Sequence, residues 1–283
     1  MFAADLLRDK RALITGGGTG LGKAMAKRYL ELGAEVFICG RREEVLRDTV
    51  AELRSATAGK IDSFPCDVRD LATVESSIDR IWQSGPLHIL VNNAAGNFLA
   101  RTEDLSPRAF EAVLGIVLAG TINMTMCCGR RWLASSQAGT VLNIVATYAS
   151  TGSGSGYVVP SAVAKSGVLA LTRSLAVEWG PRGIRMNAIA PGPIPTEGAF
   201  SRLLPKKELE KLAINRVPLR RFGTPEEVAN LAAYLVADGS GYVNGEVVNI
   251  DGGEWLQGAG EFNYVGQLMS DADWELFKPK KKS

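Results

Sequence analysis

Short apolar runs alternate with longer stretches of helical period along this chain. RALIT at 11–15, then residues 35–39, 61–66, 87–91, 141–145, 184–190 and 247–250, are runs of four to seven residues, most of them rich in Val, Ile, Leu and Ala. Each reads as a strand. Between them lie helical patterns, over 20–32 and 71–83, and from Ser106-Pro107, where Phe110, Val113, Leu114, Val117 and Leu118 form one stripe. Another starts near Pro160 and carries Val168, Leu171, Leu175 and Trp179 at spacings of three and four. Thr224-Pro225-Glu226-Glu227 has the form of a capping box with proline at the first helical position, and opens a helix to about residue 237. Strand–helix alternation predicts an α/β fold, one doubly wound parallel sheet of Rossmann type with helices on both faces. Ligands bind such sheets beyond the C-terminal strand ends.

The candidate chemistry falls at those ends. After the first strand comes TGGGTGLG, with Gly16, Gly20 and Gly22 spaced for a tight turn, close backbone approach and close helix packing. Thr19 and Leu21 lie within it, where a helix N-terminus offers N–H donors to a pyrophosphate. The second strand ends in Cys39-Gly40-Arg41-Arg42, not in the acid that binds a ribose 2′-hydroxyl. Guanidinium groups match a 2′-phosphate in charge and geometry, so NADP(H) is the expected cofactor. Asp67, after the third strand, is placed to accept from the adenine amino group or to cap the following turn. Asn92-Asn93-Ala94-Ala95-Gly96-Asn97-Phe98 ends the fourth strand with small residues and amides, and Asn93 is assigned to the cofactor. The glycine-rich segment from Tyr148 to Lys165 lies between the fifth strand and its helix, and carries two tyrosines and one lysine. Pro191-Gly192-Pro193-Ile194 then breaks regular structure. Residues 195–216 are expected to form a helical flap, and 254–283 a tail packed on the body or on a partner subunit.

Composition narrows the choices. The 283 residues are 46% hydrophobic, enough for one sizeable core, and we take 1–283 as one NADP-binding domain. The net charge of +2 gives no case for nucleic acid or membrane, and KPKKK at 278–282 reads as a solvated end. Cys39, Cys66, Cys127 and Cys128 form no C-x-x-C pair, so no metal site is expected, and reduced thiols suit a cytoplasmic protein. His88 is the one histidine, which argues against a Ser-His-Asp hydrolase and suits a structural role. No apolar run is expected to reach membrane-spanning length, and the N-terminus lacks a signal pattern.

TGGGTGLG, NNAAG, the 148–165 segment and PGPI, in that order, resemble the short-chain dehydrogenase/reductases across nearly the whole chain. That family's Tyr-x-x-x-Lys is here Ser161-Ala162-Val163-Ala164-Lys165. A serine hydroxyl is a far weaker acid than a phenol. AAGNF, YA-x-TGSG, VVPSA-x-AK, PGPI-x-T-x-GAFSRL and GEFN are similar to the 2,4-dienoyl-CoA reductases within the family. The resemblance implies a homotetramer that uses NADPH to reduce dienoyl-CoA thioesters in fatty-acid β-oxidation. It implies Tyr148, Asn97, Ser161 and Lys165 as the working residues, Phe98 and Ser106 as acyl-CoA contacts, and 191–194 as cofactor contacts. Tyr157 is assigned to substrate lining and is the rival to Tyr148, because the loop carries an extra Gly-Ser relative to that pattern. Ala119 stands where the long helix usually has asparagine. The alternatives are another reductase of this fold acting on an enoyl thioester or a carbonyl, and a non-catalytic nucleotide-binding protein.

Overall fold

A computed structural model describes residues 2–149, 154–196, 207–259, 263, 265 and 269–274. The strands are β1 Arg11–Thr15, β2 Glu35–Gly40, β3 Ile61–Pro65, β4 Ile89–Asn92, β5 Gly139–Ile144, β6 Ile184–Pro191 and β7 Val247–Ile250. They form one parallel sheet in the order β3-β2-β1-β4-β5-β6-β7. The order reverses between β1 and β4, which opens a crevice at their C-terminal ends. The α-helices are α1 Gly20–Glu31, α2 Glu43–Thr57, α3 Leu71–Gln83, α4 Pro107–Leu114, α5 Gly120–Ala134, α6 Val159–Trp179, α7 Lys207–Arg216, α8 Pro225–Val236, α9 Glu254–Ala259 and α10 Asp271–Trp274.

Alternation along each strand divides the core in two. Ala12, Ile14, Val36, Ile38, Ile89 and Val91 pack with Met25 and Tyr29 of α1, Leu46 of α2 and Val228 of α8. Leu13, Phe37, Cys39, Leu90 and Val141 face the other way, onto Ile78 of α3, Cys128 and Trp132 of α5, and Trp179 of α6. Burial on both faces is why the inner strands β1, β2, β4, β5 and β6 read as continuous apolar runs, while the edge strands β3 and β7 are only partly buried. All four cysteines are free and buried. His88 sits just ahead of β4, where its Nδ1 accepts from the Arg11 amide at 3.0 Å. Burial, with Lys10 and Arg11 nearby, holds its pKa below the usual histidine value.

Helix ends follow the sequence. Ser106 accepts from the Ala109 amide at 3.3 Å, with Pro107 at the first position of α4. Thr224 and Glu227 close a reciprocal capping box. The predicted continuous helix from 107 onward is broken by a π turn, Gly115–Ala119, between α4 and α5. One expectation is corrected here: by length and composition the span 107–134 could cross a membrane. It is instead a helix of the fold, with Val113, Val117, Met124, Cys127, Cys128 and Trp132 buried against the body. Of the expected flap, Lys207–Arg216 is helical; residues 197–206, and with them most of GAFSRL, lie outside the described residues, as do Ser150–Ser153 and most of GEFN.

Candidate active site

The glycine turn adopts the geometry its spacing predicts. Gly16 and Gly20 have φ of 64° and 54°, a region that side chains rarely tolerate. A Cβ on Gly22 would sit 2.3 Å from the Gly16 carbonyl oxygen, so only glycine lets α1 start this close to the turn. Thr19 is the extended, exposed N-cap of α1, and Leu21 packs at the edge of the core. Asn93 braces the turn rather than reaching outward: its Nδ2 donates to the Thr15 and Gly16 carbonyls at 3.0 and 3.3 Å. The Asn93 and Ala94 amides both donate to Thr15 Oγ1, at 3.0 and 2.9 Å. β1 and β4, the two strands that flank the crevice, are thereby locked together.

Arg41 and Arg42 are both exposed at the head of α2, and neither has an ion-pair partner among the described residues. Asp67 is engaged by Arg69, whose Nε lies 2.9 and 3.1 Å from its two carboxylate oxygens and whose amide donates to Oδ1 at 3.1 Å. Hydrogen bonding by Arg69 holds the Asp67 carboxyl below the usual aspartate value, and the charge of Arg41 adds to this. Asp67 therefore caps its turn, one of the two roles open to it from the sequence.

Beyond β5, a 3₁₀ turn, Thr147–Ala149, presents Tyr148. Its hydroxyl lies 3.0 Å from Ser161 Oγ and accepts from Asn97 Nδ2 at 3.4 Å. Asn97 Oδ1 accepts from the Phe98 amide at 2.9 Å, which fixes the side-chain amide with its NH₂ toward Tyr148. Ser161 is 1% exposed. Burial raises the Tyr148 pKa and the Ser161 contact opposes this only in part, so the phenol is a neutral donor near pH 7. Lys165, about two turns into α6, is buried, and its Nζ donates to the Ile144 carbonyl at the end of β5. Burial lowers its pKa to about 8. Phe98 packs beside Val113 and Val168.

Tyr157 is apart from this cluster. It is 66% exposed with φ at 65°, and its carbonyl accepts from the Ala100 amide at 3.0 Å, which ties the loop to the 97–100 segment. At the end of β6, Gly192 donates to the Ile250 carbonyl at 3.0 Å, and a Cβ there would meet Asp251 at 2.6 Å. Pro193 and Ile194 then line a small cavity with Leu219, Gly223 and Ile250. Thr196 reaches back over the glycine turn, about van der Waals distance from a Cβ built on Gly20.

A buried polar ladder escaped the sequence reading. Asn92 Nδ2 donates to Thr125 Oγ1 and Asn143 Oδ1, both at 2.9 Å, and Asn143 Nδ2 donates to Thr172 Oγ1 at 2.8 Å. It ties β4, β5, α5 and α6 together below the residues that carry Asn97, Tyr148 and Lys165. Isolated polar residues inside apolar runs, Asn143 and Thr172, were the available signal.

Comparison with known proteins now decides the family. The family model described as enoyl-(acyl carrier protein) reductase matches residues 16–254. The chain belongs to the short-chain dehydrogenase/reductase family. A crystal structure of a short-chain dehydrogenase from Bacillus anthracis superposes on this short-chain dehydrogenase/reductase with a TM-score of 0.79, at 42% identity over 89% of this chain and 98% of that one. A probable 2,4-dienoyl-CoA reductase of Bacillus subtilis, named (2E)-enoyl-CoA-producing, is 46% identical over 88% of this chain and 98% of its own length. A probable 2,4-dienoyl-CoA reductase of Caenorhabditis elegans, named (3E)-enoyl-CoA-producing, is also 46% identical, over 88% of this chain and 81% of its own.

Proposed function

We propose that the protein is an NADPH-dependent 2,4-dienoyl-CoA reductase. The observation that carries this is the Tyr148–Ser161–Asn97 cluster. Serine occupies the family's tyrosine position, and a phenol arriving from the strand end meets it at 3.0 Å with an amide donor alongside. Similarity to relatives with that name supports the substrate class.

NADPH, when bound, supplies the hydride. The residues present fit it: the glycine turn admits a pyrophosphate, Arg41 and Arg42 offer unpaired guanidinium groups for the 2′-phosphate, and Lys165 can serve the nicotinamide ribose hydroxyls. Asn93 holds the turn, Asp67 would meet the adenine end of the cofactor, and 191–194 would hold its nicotinamide end. Reduction at the far end of the conjugated system moves negative charge onto the thioester oxygen. Tyr148 Oη and Asn97 Nδ2 are two neutral donors for that oxygen. Ser161 orients the phenol from behind. Water then protonates the carbon of the dienolate. Phe98, Ser106 and Tyr157 line the acyl-CoA path.

The test is NADPH oxidation against a panel of acyl-CoA thioesters and ketones. We expect turnover with 2,4-dienoyl thioesters at least about tenfold above mono-unsaturated thioesters, the size of discrimination a single lost interaction gives. Reduction of ketones or mono-unsaturated thioesters alone would replace this reading with another reductase activity.

Cofactor choice gives a separate expectation. NADPH should be preferred over NADH in kcat/KM, since each charge-assisted bond to the 2′-phosphate contributes about 1.5–3 kcal/mol. The double variant Arg41→Ala, Arg42→Ala should lose that preference; equal use of both cofactors by the unaltered protein would refute it. We also propose a homotetramer, on the family likeness and on apolar side chains left exposed along α5 and α6, among them Ile122, Val163 and Val177. Light scattering at micromolar concentration should give four times the chain mass; a monomer contradicts it.

A further inference from the structure

The glycine turn has a support on α2 that no motif marks. Thr49 lies in the middle of α2, is 3% exposed, and donates from Oγ1 to the Gly18 carbonyl at 2.8 Å. The turn also packs directly on this helix. A Cβ on Gly18 would lie 3.2 Å from Val45 Cγ1 and 3.4 Å from Leu46 Cδ2. α2 is the helix that begins next to Arg41 and Arg42.

A trans peptide points its C=O and the following N–H in opposite directions. Fixing the Gly18 oxygen onto Thr49, toward α2, turns the Thr19 N–H away from α2. That N–H has no protein acceptor among the described residues, and it precedes the first orphan amides of α1. If the carbonyl were released, the Gly17-Gly18 segment could rotate this peptide and take the donor with it, because glycine sets little barrier.

We propose that Thr49 is a positioning residue of the cofactor site, aiming the Thr19 amide at the dinucleotide pyrophosphate and coupling the glycine turn to the helix that carries the 2′-phosphate arginines. The inference rests on the NADPH reading above. Thr49 does not touch the cofactor; it acts through the Gly18–Thr19 peptide.

The experiment is direct binding of NADPH and NADH, by fluorescence titration, together with steady-state kinetics and apo-protein melting. Thr49→Val keeps the side-chain shape and removes the donor. Kd for both dinucleotides should rise about tenfold, the cost of one lost hydrogen bond, while kcat at saturating NADPH stays within about twofold. Thr49→Ser should restore Kd. Thr57→Val is the control for mere loosening of α2, since the Thr57 hydroxyl bonds the Leu53 carbonyl of its own helix at 2.8 Å. It should leave Kd unchanged even if it lowers the melting temperature. If Thr49→Val does not fold, Thr49→Ala carries the same expectation. Unchanged Kd in the Thr49 variants, or an equal rise in Thr57→Val, overturns the proposal while the NADPH reading stands. Failure of the unaltered protein to bind either dinucleotide overturns both.

Discussion

Replacing Tyr148 with phenylalanine is expected to lower kcat about 10²–10³-fold, the usual consequence of removing one donor from a developing oxyanion. The ring remains, so the packing that makes the site survives. NADPH affinity should be retained, because the glycine turn and Lys165 are untouched. The structure sets the order of the neighbouring variants. Ser161 is buried and touches the phenol, so Ser161→Ala should cost about tenfold, one hydrogen bond's worth of alignment. Tyr157 is two-thirds exposed and its hydroxyl has no partner among the described residues, so Tyr157→Phe should change kcat little. Asn97→Ala should resemble Tyr148→Phe in sign and fall short of it in size, since at 3.4 Å its amide is the longer of the two contacts at the phenol. Near-normal turnover in Tyr148→Phe, with loss in Tyr157→Phe, would move the acid to Tyr157. The Gly-Ser added to the loop would then have shifted the register between strand end and α6.

The inner strands were legible in the sequence because parallel strands there are buried on both sides and leave apolar runs, whereas the edge strands β3 and β7 are only partly buried. β1 and β7 lie where the runs predict, and the other five strands differ by a residue or two at one end or both, where strand pairing and not side-chain pattern sets the limit. The break in the long helix was not legible. A π turn needs no residue that an α-helix refuses, and Gly115 and Gly120 mark it only once Gly120 is seen against Val68, where a Cβ would meet Cγ2 at 2.4 Å. Candidate residues stood out in the sequence where an unusual type follows a strand end, as at Gly16 after β1 and Arg41 after β2. They were illegible where an ordinary residue works through a partner distant in sequence. Thr49 and Gly18 are 31 positions apart, and Asn92 and Asn143 are 51. The resemblance placed Tyr148 and Ser161 in one site; only the fold gives the distance between them. Asn93 shows the converse, a residue expected to face the cofactor whose side chain is spent on the turn.

Lys165 makes the second large prediction, and it runs in opposite directions for activity and for stability. Its ammonium is buried, with the Ile144 carbonyl as its acceptor, and its pKa of about 8 reflects desolvation. The protonated form is the one that can hold ribose hydroxyls and favour negative charge near Tyr148. kcat/KM for NADPH reports ionisations of the free enzyme, so it should be level near pH 7 and fall through a single step near pH 8. Stability has the other sign. The folded-state pKa lies below the ordinary lysine value of 10.5, so between about 8 and 10.5 the unfolded chain binds more protons, and stability rises with pH across that window. Below pH 8 the full burial penalty is present. Lys165→Met removes the charge and keeps the apolar stem. It should lower kcat/KM at pH 7 about 10²–10³-fold and abolish the step near pH 8. It should also stabilise the apo protein at pH 7, by an amount on the order of 3 kcal/mol as an upper bound, with the gain shrinking as pH approaches 10.5. Melting curves of both proteins at pH 7 and pH 9.5, beside the pH profile of kcat/KM, measure the two effects separately. A pH-independent kcat/KM up to pH 9.5, or a Lys165→Met protein less stable than the original at pH 7, would mean that the ammonium is better compensated than its surroundings in this fold indicate.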